Sequence, residues 1–376
     1  MGVPEASPAP ARARGRAGRR LPDAGELPAH LPRGSDRGGV SGRHLVPALH
    51  PRGAGADHPR APDRRKAGRG PLLRAQPASG ARGRAGGARA PQRTRPRGAR
   101  ALRAALLRGR EHVELGAVDA VAEGAAGIAI SRGGALKAYA HHDPNEDGAL
   151  LALGDAGVLV AVADGHHGFE AAEVALEYVA THPAPHWTEP GTVRPASWAR
   201  QAAAVLEDAN RAILGERGAR DEGYGPRTTL ALALVRPAEG QLFYAALGDS
   251  RLYVADAEGV RDVGAPPAGG AAFLGQDAAA GAALAARAAV GQLPLAGLRA
   301  VVLASDGLTQ PGIGVDDPCG AIAQALGAAA GEPAPLRPLA AARGLAERAC
   351  AAHRRRRSGD NVACAVVWLE LESAAG

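Results

Sequence analysis

Cysteine is nearly absent from this 376-residue chain: there are three, Cys319, Cys350 and Cys364. An odd number without ligand spacing excludes a disulfide framework and a zinc cluster, and fits reduced thiols. Lysine is rarer still, Lys66 and Lys137 standing against 43 Arg, the usage of a GC-rich genome. No run approaches the ~20 apolar residues a membrane helix needs. The richest stretch, 278–295, is broken by Gly281, Arg287, Gly291 and Pro294. The N-terminus has no apolar core of the kind a secretory signal requires. The expectation is a cytoplasmic chain with no membrane contact. Aromatics make up 3% of the residues and none falls within 1–110, which removes the stacking used by single-strand binders.

The charge is divided sharply. Residues 1–110 carry 25 basic side chains against six acidic ones, a net of +19, so the formal +7 of the whole leaves −12 for the remainder. The basic part is built from Arg, Pro, Gly and Ala without sustained periodicity, which predicts a disordered tail. Only Ala101 to Leu107 has local helix character. Three readings of the tail stand: an inert or spurious segment, since GC-rich DNA read out of frame yields these residues; nucleic-acid contact by counterion release; or contact with another partner. A folded domain is expected over 114–372.

Within that acidic body, one stretch organises the rest: Val158 to Ala163 is apolar and β-branched, and stops at Asp164-Gly165-His166-His167-Gly168. Gly154-Asp155-Ala156-Gly157 is a hairpin turn by residue type and makes Ala149–Leu153 its neighbour, so Glu146 and Asp147 converge on Asp164. One or two strands are expected around a turn at 131–134, a helix over 169–181, a Pro-rich loop over 182–195 and a helix from about 197 to 214. The last of these buries the stripe Trp198, Ala202, Leu206, Ala209 and Ile213. Strands over 227–235, 241–247 and 252–255 read as an antiparallel meander interrupted at Gly248-Asp249. Arg299–Ala304 ends at Asp306-Gly307, a helix runs over 338–354, and Asp360 precedes a last strand, 362–368. Carboxylates on several strand tips, without Cys or His spacing, suggest Mg²⁺ or Mn²⁺ rather than zinc.

In order, Asn145-Glu146-Asp147, Asp164-Gly165-His166-His167-Gly168, Arg227-Thr228-Thr229, Gly248-Asp249-Ser250-Arg251, Phe273-Leu274-Gly275, Ser305-Asp306-Gly307-Leu308 and Gly359-Asp360-Asn361 resemble the signature blocks of the metal-dependent, type 2C protein serine/threonine phosphatases. The resemblance spans about residues 116–371. It implies an α+β fold, a four-layer α-β-β-α sandwich of two antiparallel sheets flanked by helices. It also implies a bacterial, cytoplasmic enzyme acting on a phosphorylated protein with two Mn²⁺ or Mg²⁺ ions and a weaker third. Asp164 would bridge two ions, joined by the Gly165 carbonyl on one and by Asp306 and Asp360 on the other. Asp249 would share the third with Asp306. Catalytic Glu146, with Asp147, would act largely through bound water. The resemblance further implies that a water between two cations would attack phosphorus and that His166 would be the general acid, its plain alternative being a cap on the turn.

Two positions depart from the pattern. His142 stands where many relatives carry a phosphate-gripping arginine. His167 replaces a small residue, as a second proton carrier, a residue beside the metals or, the favoured reading, merely an exposed side chain. Two alternatives remain: a non-catalytic phosphoprotein-binding member of the same fold, and a protein tethered to nucleic acid through residues 1–110. Oligomeric state has no signature. Because imidazole is a weaker, proton-dependent phosphate ligand than a guanidinium, His142→Arg is expected to lower KM for small phosphoesters. A KM unchanged by the substitution and by pH would exclude a phosphate contact at His142.

Overall fold

A computed structural model describes residues 103–137, 139, 141–217, 225–267, 272–276 and 281–369. Two antiparallel sheets stack face to face. The first runs in the order β1 (Arg103–Arg108), β4 (Asp147–Leu153), β5 (Val158–His166), β7 (Leu230–Arg236), β8 (Gln241–Leu247), β11 (Ala289–Pro294), with the two-residue β6 (Arg227–Thr228) beside β5. The second has the order β10 (Val260–Asp262), β9 (Arg251–Ala255), β12 (Ala300–Ala304), β13 (Val362–Trp368), β3 (Ala126–Ser131), β2 (Asp119–Glu123). Helices α1 (Glu170–Thr181), α2 (Pro183–Trp187), α3 (Trp198–Arg217) and α4 (Gly281–Ala286) precede a single turn, α5 (Asp306–Thr309), and then α6 (Pro318–Ala329) and α7 (Arg337–Arg356).

Three apolar cores separate four layers. In β7, Leu230, Leu232 and Leu234 pack toward α1 and α3, while Ala231, Ala233 and Val235 pack between the sheets. In β13, Ala363, Ala365 and Val367 enter the inter-sheet core, and Val362, Cys364 and Val366 face α6 and α7. Side chains alternate across a strand, so a strand buried on both faces reads as a continuous apolar run. The four-layer expectation is therefore correct.

Several local expectations are not. Residues 103–107 are strand rather than helix: β1 pairs residue for residue with β4, Leu106 opposite Leu150 and Leu107 opposite Ala149. The edge of the sheet thus overrides local helix propensity, and the fold reaches into the stretch assigned to the tail. The remainder of that tail, 1–102, lies outside the described residues. The turn expected at 131–134 falls instead at Gly124-Ala125, between β2 and β3. The Pro-rich loop contains α2, with proline at its first position, where no amide hydrogen is needed. The 227–235 strand breaks at Thr229, and the meander is not one sheet: Gly248-Asp249-Ser250 carries the chain from β8 in the first sheet to β9 in the second.

The helical stripe of α3 is buried as expected. Trp198 lies against Trp187 and Phe243, ring centroids 5.1 and 5.3 Å away, and its Nε1 donates to the Tyr244 carbonyl at 3.0 Å. Trp198→Ala is expected to cost about 3–5 kcal/mol by leaving a cavity. Urea unfolding measures this, and a loss below ~1 kcal/mol would mean the site collapses without penalty.

Candidate active site

Antiparallel pairing brings the start of β4 and the end of β5 to the same end of the sandwich, where Asp147 stands directly opposite Asp164. In the second sheet, Ala304 pairs with Cys364, so Asp306, just after β12, and Asp360, just before β13, reach that same end. Asp249 comes from the crossing between sheets, and its Oδ1 is buried without a hydrogen-bond partner.

Polar residues of the motifs fix these carboxylates. Thr229 Oγ1 accepts from the Asp164 amide at 3.0 Å, and Thr228 Oγ1 donates to the Asp164 carbonyl at 2.9 Å. Thr229 Oγ1 and Ser250 Oγ lie 2.7 Å apart, which links that strand tip to the turn holding Asp249. Ser305 Oγ donates to Asp147 Oδ2 at 2.7 Å and accepts from the Ala363 amide at 2.9 Å. Asn361 Oδ1 accepts from the Glu146 amide at 2.9 Å. Buried His353 accepts from the Gly134 amide at Nδ1, 3.2 Å, and so donates from Nε2 to the Gly307 carbonyl at 2.7 Å. Gly165 is required by close approach, since a Cβ there would meet the Glu146 carbonyl oxygen at 2.4 Å.

Glu146 is buried and braced. Its Oε1 accepts from the amides of Gly168, His142 and Asp143 at 2.8, 3.1 and 3.3 Å, and Oε2 lies 3.3 Å from Lys137 Nζ. Burial alone would raise its pKa, but the Lys137 charge and those three amides hold it below the usual carboxylate value. Lys137 also reaches Asp360 Oδ1 at 3.3 Å, with its side chain 4% exposed. Burial works against its charge, and the surrounding carboxylates of Asp360, Asp147, Glu146 and Asp164 more than restore it. The sequence reading passed over Lys137. The available signal was its rarity: a chain with 43 Arg places one of its two lysines here.

His166 Nδ1 lies 3.4 Å from Asp164 Oδ1, and its ring contacts Phe273 at 4.7 Å. His167 is half-buried rather than exposed, in the left-handed backbone region at φ 65°, and its ring meets that of His142 edge-on at 5.6 Å. His142 is exposed at the rim. The site therefore has an acidic interior and a histidine-lined margin.

The acidic interior fits hard divalent cations. Among the described residues, Glu146, Asp147, Asp164 and Asp360 surround the Lys137 ammonium, Asp249 and Asp306 crowd Asp164, and Asp249 carries an orphaned oxygen. Burial first, and then the Asp360 charge, pushes Asp147 up to about 7. Burial and the charges of Asp147, Asp360 and Asp249 push Asp164 up. Burial and the charges of Asp164, Asp360 and Asp249 do the same to Asp306, which shares a hydrogen bond with Asp164. Protons thus substitute for cations. Among the described residues, no three His, Cys, Asp or Glu side chains stand arranged to hold a metal ion together.

The family model described as Protein phosphatase 2C matches residues 136–328, just over half of the chain. The chain belongs to the protein phosphatase 2C family. Membership makes it a protein serine/threonine phosphatase of a family that is metal-dependent in general. Two substituted forms of a bacterial serine phosphatase share the fold: 22% and 20% identical, each at a TM-score of 0.50, covering 65% and 66% of this chain and 98% and 99% of their own. The Mycobacterium tuberculosis serine/threonine phosphatase is 22% identical over 68% of this chain and 99% of its own, at a TM-score of 0.46. No curated protein sequence matches. Asp360, α7 and β13 of this phosphatase 2C chain lie beyond the segment that the family model matches.

The raised carboxylates fix a sign. In the unfolded chain, aspartates lose their protons near pH ~4, whereas folded Asp147 keeps its proton to about 7. The contribution is fully present below pH ~4 and is lost as pH rises toward 7, so the chelated protein is expected to lose stability across that window. Mn²⁺ is expected to raise Tm more at about pH 7.5 than at about pH 5. A chelated Tm flat across the window, with no Mn²⁺ gain at either end, would exclude the cluster as a cation site.

Proposed function

We propose that this phosphatase 2C hydrolyses phosphoserine and phosphothreonine in protein substrates at the aspartate cleft, with two Mn²⁺ or Mg²⁺ ions and a weaker third as cofactors. The observation that carries the reading is the register that sets Asp147 opposite Asp164 while Asp306 and Asp360 reach the same end of the second sheet. When bound, such ions neutralise this charge and activate water for in-line attack on phosphorus. Asp164 with the Gly165 carbonyl would hold one ion, and Asp164 with Asp306 and Asp360 the other. Asp249 with Asp306 would hold the third, and Asp147 would act through water. Glu146, saturated at Oε1, would keep Lys137 and the 142–146 turn in place and use Oε2 toward the cleft.

His166 is assigned the proton that the departing serine or threonine oxygen takes up. Its Nδ1 faces Asp164, which leaves Nε2 for the leaving group. A general acid contributes ~10²–10⁴-fold where the leaving group is poor. Three free cysteines support a reducing, cytoplasmic setting. With Mn²⁺, turnover of an aryl phosphate and of a phosphothreonine peptide is expected, abolished by chelator and by Asp306→Ala. His166→Ala is expected to lose far more on the peptide than on the aryl ester, whose leaving group needs no proton. Metal-independent turnover would sink the metal assignment. Equal losses on both substrates would sink the role of His166.

A further inference from the structure

Outward from Asp164 the site has a fixed succession. His166 Nδ1 is 3.4 Å from Asp164, the His166 ring is 4.7 Å from the Phe273 ring, and the Arg227 guanidinium lies over that Phe273 ring, 4.9 Å from its centroid. Pairing of β6 with β5 sets Arg227 directly opposite His166. Directly opposed residues in an antiparallel pair project to the same side of the sheet. Arg227 Nε is buried without a hydrogen-bond partner, and no carboxylate pairs with the guanidinium among the described residues. Lys137 differs: its ammonium stands inside the carboxylate cluster, within 3.3 Å of Glu146 and Asp360. A cation positioned for the reacting phosphate would lie within reach of those carboxylates, as Lys137 does. Arg227 stands beside His166 on the neighbouring strand, next to where the leaving oxygen and the peptide attached to it would be.

We propose that Arg227, carried on the Phe273 ring, is a specificity-determining residue that grips an acidic side chain adjacent to the phosphorylated residue of the substrate. The proposal rests on the assignment of His166 to the leaving oxygen. The chemistry is that of a planar guanidinium with unused donors: a carboxylate accepts two parallel N–H bonds from it, and the aromatic face beneath preorganises the plane. An alanine in the same peptide position accepts none.

The test compares two phosphothreonine peptides, flanked by Asp or by Ala, with an aryl phosphate that has no flanking residue, all with Mn²⁺. The wild-type protein is expected to favour the Asp peptide by about tenfold in kcat/KM, the worth of one good charge-assisted contact. Arg227→Gln is expected to erase that preference through KM while leaving kcat/KM for the aryl phosphate unchanged. Arg227→Glu is expected to reverse it. Absence of a preference in the wild-type protein overturns the inference without any variant, which covers the case in which the variants fail to fold. A parallel loss on the aryl phosphate in Arg227→Gln also overturns it, since Arg227 would then serve the reacting phosphate. Failure of the wild-type protein to turn over any of the three substrates overturns the phosphatase site itself. Turnover of all three at equal efficiency overturns only the role of Arg227.

Discussion

Repulsion among buried carboxylates is the constraint on which this end of the molecule depends. Two like charges about 4 Å apart repel by ~4 kcal/mol at an effective dielectric of 20, and here five aspartates and a glutamate converge on one cleft. Separate holdfasts oppose that repulsion. Three amides and Lys137 hold Glu146, Ser305 holds Asp147, the Thr228–Thr229 pair holds the backbone of Asp164, and Lys137 reaches Asp360. Residual charge is relieved by protons retained on Asp147, Asp164 and Asp306. A cluster stabilised in this way is strained without cations and has a reason to bind them.

The sandwich supplies the rigidity such a cluster needs. In an antiparallel sheet one strand starts at the edge where its neighbour ends, so a carboxylate at the end of β5 and one at the start of β4 become neighbours without any loop having to fold back. The second sheet repeats the device with β12 and β13. Gly307, where a Cβ would come within 1.8 Å of the Asn361 carbonyl oxygen, lets the two motifs of that sheet touch. The apolar cores on both faces of each sheet fix the strands, and the strands fix the aspartates.

Much of this was legible in the sequence because period-two burial and strand-tip aspartates leave local marks. The hairpin at 154–157, the α3 stripe and the carboxylate set are of that kind. What was illegible depends on distant chain. β1 looks helical until β4 offers it an edge, and β9 cannot be assigned to the second sheet from its own residues. Lys137 resembles any solvated lysine until the fold brings Asp360 beside it from 223 positions away. His167 seemed exposed because nothing local shows that His142 packs edge-on against it. Motif polar residues read as signature letters, yet Thr229, Ser305 and Asn361 serve chiefly as brackets.

The cleft is also electrostatically two-sided, and this bears on how a phosphoprotein would approach it. An interior lined by six carboxylates repels a phosphate dianion unless cations intervene, so neither strand tip can bind substrate by itself. The margin carries a cation instead, Arg227 on Phe273, with His166 on the same ring and the edge-packed His142–His167 pair nearby. His142 meets Glu146 through its backbone amide, so its ring contributes to the margin without supporting the interior. The two sides meet at His166, which shares the Phe273 ring with Arg227 and reaches inward to Asp164 at 3.4 Å.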